Sequence, residues 1–351
     1  MKLNSIRKAI DSLDRELVQM IEARMELVLR SKRIGPLDAE REKTVIENAL
    51  RLSHDLLEPE FAQQIFTSII EESHRLADAG RKLVAFQGEH GAFSDVACRR
   101  LVHGAAYVPC LEFSDVFNGV CDGLYDFGVV PVENSLEGAV TQVNDLLTTT
   151  ELKVIGEVVL PVHHCLLAPG DMDFKEIHMV YSHPQALAQC RGFLEANGME
   201  LRQFYDTAGA AKMVARERPR AAAAIASDLS AELYGLKILK EGIADNPSNS
   251  TRFLLLSKQG LEKGGDKCSI VFATDHQAGR LFNVLKLFAQ DDINLTRIAS
   301  MPRRSAPGNY TFFLDFEGSD KDETIATVLS KMDASTSDLR FLGCYPKATA
   351  S

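Results

Sequence analysis

Apolar residues recur every three or four positions from Leu3 through Ile6, Ile10, Leu13, Leu17 and Ile21 to Met25 and Val28. That period commits the start of the chain to an amphipathic helix. The helix is expected from about Asn4 to Arg33, roughly 45 Å long at 1.5 Å per residue, and Gly35-Pro36 ends it. Glu40–Leu52 and Pro59–Leu76 read as two more helices. A unit of residues 1–79 is too small to cover so long a helix, so pairing with a second copy of the chain is expected.

After the linker Ala79-Gly80-Arg81-Lys82 the texture changes. Short apolar runs at 83–86, 127–132, 153–162, 178–182 and 223–227 alternate with helical patterns at 94–102, 114–123, 138–148, 184–196 and 207–216. This alternation predicts an α/β domain over 82–258 with largely parallel sheets. The run KVIGEVVLPVHHCLLA resembles a crossover between two lobes, with a ligand cleft between them. Its His163-His164 pair, set among apolar residues, reads as structural. Beyond the polar stretch 260–267, residues 267–351 follow a βαββαβ order, an α+β ferredoxin-like arrangement. The fold class is thus multidomain: all-α helices, a two-lobed α/β domain, and a small α+β domain.

The 351 residues carry a formal charge of −10, which argues against a nucleic-acid partner. The amphipathic, charged start lacks the apolar core of a signal peptide. No stretch approaches the 18 apolar residues that would span a membrane. The seven cysteines are scattered without CxxC spacing. This pattern argues for reduced thiols in a cytoplasmic protein, with no metal site.

Three segments concentrate polar groups where strands end, the place where open α/β sheets bind ligands. GVVPVENSLEGAV (128–140) brings Glu133, Asn134 and Ser135. SHPQALAQC (182–190) brings Ser182, then a helix opened by Pro184, then Gln189. NSTRF (249–253) sets Asn249, Ser250, Thr251 and Arg252 ahead of an apolar strand. A threonine beside an arginine suits a substrate with a carboxylate and a hydroxyl that needs protonation.

These segments resemble prephenate dehydratase, and GEHGAFSDVA (88–97) resembles that family's opening motif, with Ala92 where threonine is usual. The likeness extends over the whole chain, as in bifunctional proteins that join a helical chorismate mutase, the dehydratase and a regulatory ACT domain. It implies that prephenate loses its ring carboxylate as carbon dioxide and its C4 hydroxyl as water, with no cofactor. By this resemblance Thr251 hydrogen-bonds the leaving oxygen, and Glu133, Asn134, Ser182 and Gln189 position substrate or relay protons. Arg252 holds a carboxylate, and Ser135, Phe253 and Ser94 complete the pocket.

The helical part is similar to all-α chorismate mutase, whose site positions match Arg7, Arg24, Asp38, Arg41, Glu42 and Ser73. Gly35 stands where the family has lysine, with Lys32 the nearest substitute, and Ala77 replaces a Gln or Glu. Arg7 and Arg24, 17 residues apart, point about 100° away from each other on one straight helix. The family's answer is an arginine donated by the partner subunit. The C-terminal unit resembles an ACT domain, where Gly279, Leu281, Asn283, Asn294, Leu295 and Ser300 would line a phenylalanine pocket, with Ala299 and Met301 replacing the family's charged pair. The expected partners are prephenate, chorismate, phenylalanine and further copies of the chain as a homodimer or homotetramer. Two other readings fit the same residues: a monofunctional prephenate or arogenate dehydratase with a degenerate mutase domain, and a non-enzymatic amino-acid sensor.

Overall fold

The computed structural model describes residues 3–262, 264–274, 277–302 and 310–348. The first unit is three helices: α1 (Leu3–Ile34), α2 (Ala39–Leu52) and α3 (Pro59–Asp78). Asp38 caps α2 by accepting the Glu40 and Arg41 amides, and Pro59 opens α3. The N-terminal half of α1 leaves Leu3, Ile10, Leu13 and Leu17 at least half exposed. Its C-terminal half lies on the next unit. Gln19 donates to the Leu233 carbonyl at 2.7 Å, Arg30 stands over the Tyr125 ring, and Arg33 pairs with Asp126 at 2.6 Å.

The middle unit opens with β1 (Leu83–Gln87), α4 (Phe93–Leu101), β2 (Ala106–Cys110), α5 (Phe113–Cys121), β3 (Phe127–Asn134), β4 (Gly138–Ala139), α6 (Thr141–Thr149) and β5 (Lys153–Pro161). The chain then crosses to a second lobe of β6 (Cys165–Ala168), β7 (Met179–Ser182), α7 (Pro184–Gln189), α8 (Arg191–Ala196), β8 (Glu200–Gln203), α9 (Thr207–Glu217), β9 (Ala222–Ala226), α10 (Asp228–Tyr234) and β10 (Lys237–Lys240). It returns through β11 (Ser250–Ser257), which enters the first sheet between β3 and β5. The strand orders are β2-β1-β3-β11-β5 and β10-β6-β9-β7-β8. Both sheets are mixed rather than largely parallel. The reason is the return crossover: β11 runs antiparallel to β3 and β5, and β6 antiparallel to β9 and β10.

The third unit is β12 (Lys267–Thr274), α11 (Arg280–Gln290), β13 (Leu295–Pro302), β14 (Tyr310–Glu317), α12 (Glu323–Asp333) and β15 (Ser337–Tyr345), an antiparallel sheet ordered β13-β14-β12-β15. It is seated directly on the first lobe. A single apolar cluster joins Val130, Val132, Leu254 and Leu256 of that lobe to Val271, Phe313, Leu342 and Tyr345. A Cβ on Gly343 would overlap the carbonyl of Val154, so only glycine permits this approach of β15 to β5. No described helix is long and apolar enough to cross a membrane.

Candidate active site

The three polar strand ends converge between the lobes. Thr251 and Asn134 are cross-strand partners on β11 and β3. Asn134 Nδ2 donates to Thr251 Oγ1 at 2.9 Å and to Asn249 Oδ1 at 2.8 Å. Its own Oδ1 accepts the Leu136 and Glu137 amides at 3.0 and 3.1 Å. The amide is therefore fixed from both ends, and its orientation is set by donors that cannot swap roles. Asn249 Nδ2 continues to Gln189 Oε1 at 3.0 Å, and Gln189 Nε2 donates to Glu137 Oε1 at 3.1 Å. Gln189 is the last residue of α7, placed there by Pro184 at its first turn and the break at Cys190. Ser135 braces the same loop, accepting the Ser250 amide at 2.9 Å.

His164 belongs to this network and not to a mere core. Its Nε2 lies 2.9 Å from Gln189 Oε1, which makes Nε2 the proton-bearing nitrogen, and its ring meets Phe93 edge-on. Burial pulls its pKa down, so the ring is neutral, and Nδ1 is buried without a hydrogen-bond partner. His163 is exposed. Two further members are not among the residues expected from the sequence: Glu137, two positions after the Glu-Asn-Ser motif, and Asn249, to which the sequence assigns no role. The polar cluster before Thr251 was the signal for Asn249; nothing local marks Glu137.

The loop 88–92 closes the other side. Lobe two grips it: Lys212 and the Tyr205 hydroxyl reach Glu89, both at 2.9 Å, and Ser230 Oγ reaches the Gly91 carbonyl at 3.0 Å. A Cβ on Gly91, whose φ is +89°, would meet Ser230, so glycine is needed here. His90 in this loop faces Asp95 and, from α1, Glu26, each at 3.6 Å. Burial pulls its pKa down, but these two carboxylates outweigh that and push it up to about 9.

Five expected residues lie elsewhere. Arg252 is turned to the opposite face of the sheet, because neighbours on a strand alternate. Its guanidinium donates to Glu157 at 2.7 Å, Asp315 at 2.5 Å and Tyr345 at 3.0 Å, so it cannot clamp a carboxylate beside Thr251. Glu133 shares that face, with Arg297 Nε 3.3 Å from its carboxylate. Ser182 is fully buried and donates to the Ile225 carbonyl at 2.7 Å, tying β7 to β9. Phe253 is packed in the core with Val84, Phe86 and Leu160. Ser94 is buried in the first turn of α4.

In the helical unit, Arg24 donates to the buried Ser73 hydroxyl at 3.1 Å. Glu42 pairs with His74 at 2.7 Å, Lys32 with Asp78 at 2.6 Å, and Asp38 is occupied as a helix cap. Arg41 is exposed, as is Arg7 far along α1. In the third unit, Leu281 and Ser300 line one hollow of about 380 Å³, while Asn294 lines another of about 500 Å³ and donates to Glu317. Gly279 caps α11 with φ +83° and its carbonyl accepts the Asn283 amide; Leu295 opens β13. The expected pocket residues therefore divide between two places.

The prephenate dehydratase model matches residues 84–260 and the chorismate mutase type II model residues 6–78. A bifunctional chorismate mutase/prephenate dehydratase of Aquifex aeolicus is 36% identical over 362 positions, covering 99% of this chain and 98% of the relative. The chain belongs to this bifunctional family. Among solved structures similar to this chain, that of an Arthrobacter aurescens prephenate dehydratase in complex with L-Phe has a TM-score of 0.69 at 32% identity. It covers 76% of this chain and 90% of that one. A structure described as GqqA, a quorum-quenching acylase, has a TM-score of 0.70 at 33% identity, covering 76% and 98%.

Proposed function

We propose that the chain converts prephenate to phenylpyruvate, carbon dioxide and water at Thr251, and chorismate to prephenate in its helical unit. The observation that carries the first activity is the direction of one hydrogen bond. Asn134 donates to Thr251 Oγ1, so the threonine proton is left to point at a ligand oxygen. Breaking the bond to the ring carboxylate releases carbon dioxide. That electron pair moves through the diene and expels the C4 oxygen, which takes up a proton and leaves as water. A threonine hydroxyl is a poor acid, so Thr251 stabilises the developing charge by hydrogen bonding rather than by giving up its own proton outright. Asn249, Gln189 and the neutral His164 hold the wall of polar groups around it.

Arg24 with Ser73 supplies a cationic donor for the chorismate dianion, and Arg7 comes from a second copy that covers the exposed face of α1. Rearrangement needs only such positioning and charge. The βαββαβ unit is read as an ACT domain that takes phenylalanine at the hollow lined by Leu281 and Ser300. The whole is a cytoplasmic homo-oligomer. An acylase reading is disfavoured by Thr251 itself. A nucleophile needs an adjacent base, and among the described residues its side chain is bonded to the Asn134 amide and to no histidine or carboxylate.

The test is incubation of the pure chain with prephenate, arogenate and chorismate separately, with product identified by chromatography. Phenylpyruvate from prephenate supports the reading. Turnover of arogenate alone selects the arogenate alternative, and binding of phenylalanine with no turnover selects the sensor.

A further inference from the structure

Arg252 and Glu133, cross-strand partners beside Thr251 and Asn134, both turn away from the cleft and into the third unit. They belong to a set of three cations and three carboxylates that is buried apart from Glu133. Arg252 donates to Glu157 and to Asp315 Oδ2, and Lys267 Nζ reaches both Glu157 oxygens at 2.9 and 3.0 Å. Ser269 Oγ donates to Asp315 Oδ1 at 2.6 Å. Arg297, stacked on the Phe313 ring, pairs with Glu133 and donates to Asn144 of α6 at 3.1 Å. Asp315 is 2% exposed and is the cross-strand partner of Arg297. Burial raises its pKa, but Arg252 and Arg297 more than reverse this, so it is ionised.

We infer that Asp315, held between Arg252 and Arg297, is a positioning residue for Thr251, making the third unit part of the dehydratase site. The inference rests on the function proposed above. The two arginines take the back of the residue pair whose front is Thr251 and Asn134. Arg252 of β11 bonds Glu157 on β5 and Asp315 on β14, and the Arg297–Glu133 pair ties β13 to β3, so both strands that carry Thr251 and Asn134 are anchored from behind the sheet. The link also has an input. Arg297 lies three residues before Ser300 on β13, and Ser300 lines the 380 Å³ hollow. A ligand in that hollow that shifts β13 is felt at Glu133 and Asp315, and from there at the reacting hydroxyl.

The experiment uses the full chain with Asp315→Asn, Arg297→Gln, Glu133→Gln and the Arg297→Gln/Glu133→Gln double variant. Steady-state prephenate turnover and phenylalanine binding by calorimetry are measured on each. Asp315→Asn is expected to lower kcat about 100-fold with KM little changed, the loss that a small misplacement of a reacting group produces. Arg297→Gln is expected to bind phenylalanine as the wild type does, yet lose the response of turnover to it. The Glu133 and Arg297 effects on kcat should be non-additive, which a purely structural contribution spread over the fold would not give. Should Asp315→Asn not fold, the Glu133/Arg297 cycle decides alone. Wild-type kcat in folded variants, or additive effects in the cycle, overturns the inference. A wild-type chain that turns over no prephenate overturns the proposed function instead.

Discussion

Thr251 and Arg252 are consecutive in β11 and face opposite sides of one sheet. The hydroxyl is turned to the cleft, where Asn134 donates to it at 2.9 Å; the guanidinium is turned to the third unit, bonded to Glu157, Asp315 and Tyr345. The two residues therefore act in different ways, Thr251 facing the ligand and Arg252 holding the strand from behind, and replacing them should have different consequences.

On the role proposed for it, Thr251→Ala removes the hydrogen bond to the leaving oxygen and little else, since the side chain is small and only half-buried. Loss of one preorganised donor of this kind costs about 10²–10³ in kcat. Turnover should fall by that factor while the thermal midpoint stays near wild type. Thr251→Ser, which keeps the hydroxyl, should recover most of it.

Arg252→Ala, by contrast, strands Glu157 and Asp315 without their shared cation in a buried setting. Breaking a buried pair from one side destabilises by about 3–5 kcal/mol. Denaturant unfolding should show the midpoint fall, and the fraction that stays folded should also lose kcat with KM little changed, because Arg252 holds β11 from behind.

The contrast also marks what could be read from the chain alone. Helix α1 was legible because its apolar period runs unbroken, and Asn134, Gln189 and Thr251 because polar clusters at strand ends are the usual place for ligands. Arg252 and Glu133 were assigned to the cleft because each lies next to a cleft residue in sequence. A strand alternates faces, and the polar residues set ahead of the apolar run are in fact the strand's own first residues, β11 beginning at Ser250. Sheet direction was hidden for a different reason: nothing local states that β11 returns to a sheet left ninety residues earlier. His164 looked structural because an apolar run surrounds it, and only the fold brings Gln189 to its ring.

His90 makes a contact between units sensitive to pH. Its pKa is raised to about 9 against an ordinary 6.5 by Asp95 and by Glu26 of α1, despite burial. The sign follows from that elevation: the folded form holds the proton more tightly than the unfolded form. The stabilisation is complete below about 6.5 and declines as pH rises toward 9. Above that the neutral ring no longer pairs with Glu26. Thermal midpoints measured from pH 6 to 10 should fall across this window in the wild type. His90→Gln should flatten that part of the profile.

The helical unit gives the last prediction. Arg24 touches Ser73, but Arg7 lies 17 residues earlier, about 25 Å along the axis and turned by about 100°. One chain cannot bring both to a single chorismate. The exposed Leu3, Ile10, Leu13 and Leu17 on the same stretch call for a second helix to cover them. If that helix belongs to another copy, each pocket is built from Arg24 of one chain and Arg7 of the other. Arg7→Ala and Arg24→Ala chains should each be inactive as mutases while keeping dehydratase activity. Mixed, unfolded and refolded together, random pairing leaves half the dimers hybrid, each with one intact pocket of two. Mutase activity should then return to about a quarter of wild type, as two-fold symmetry requires. A mixture as inactive as its parts, with hybrids demonstrated by native mass spectrometry, would show that each chain builds its pocket without the other's Arg7.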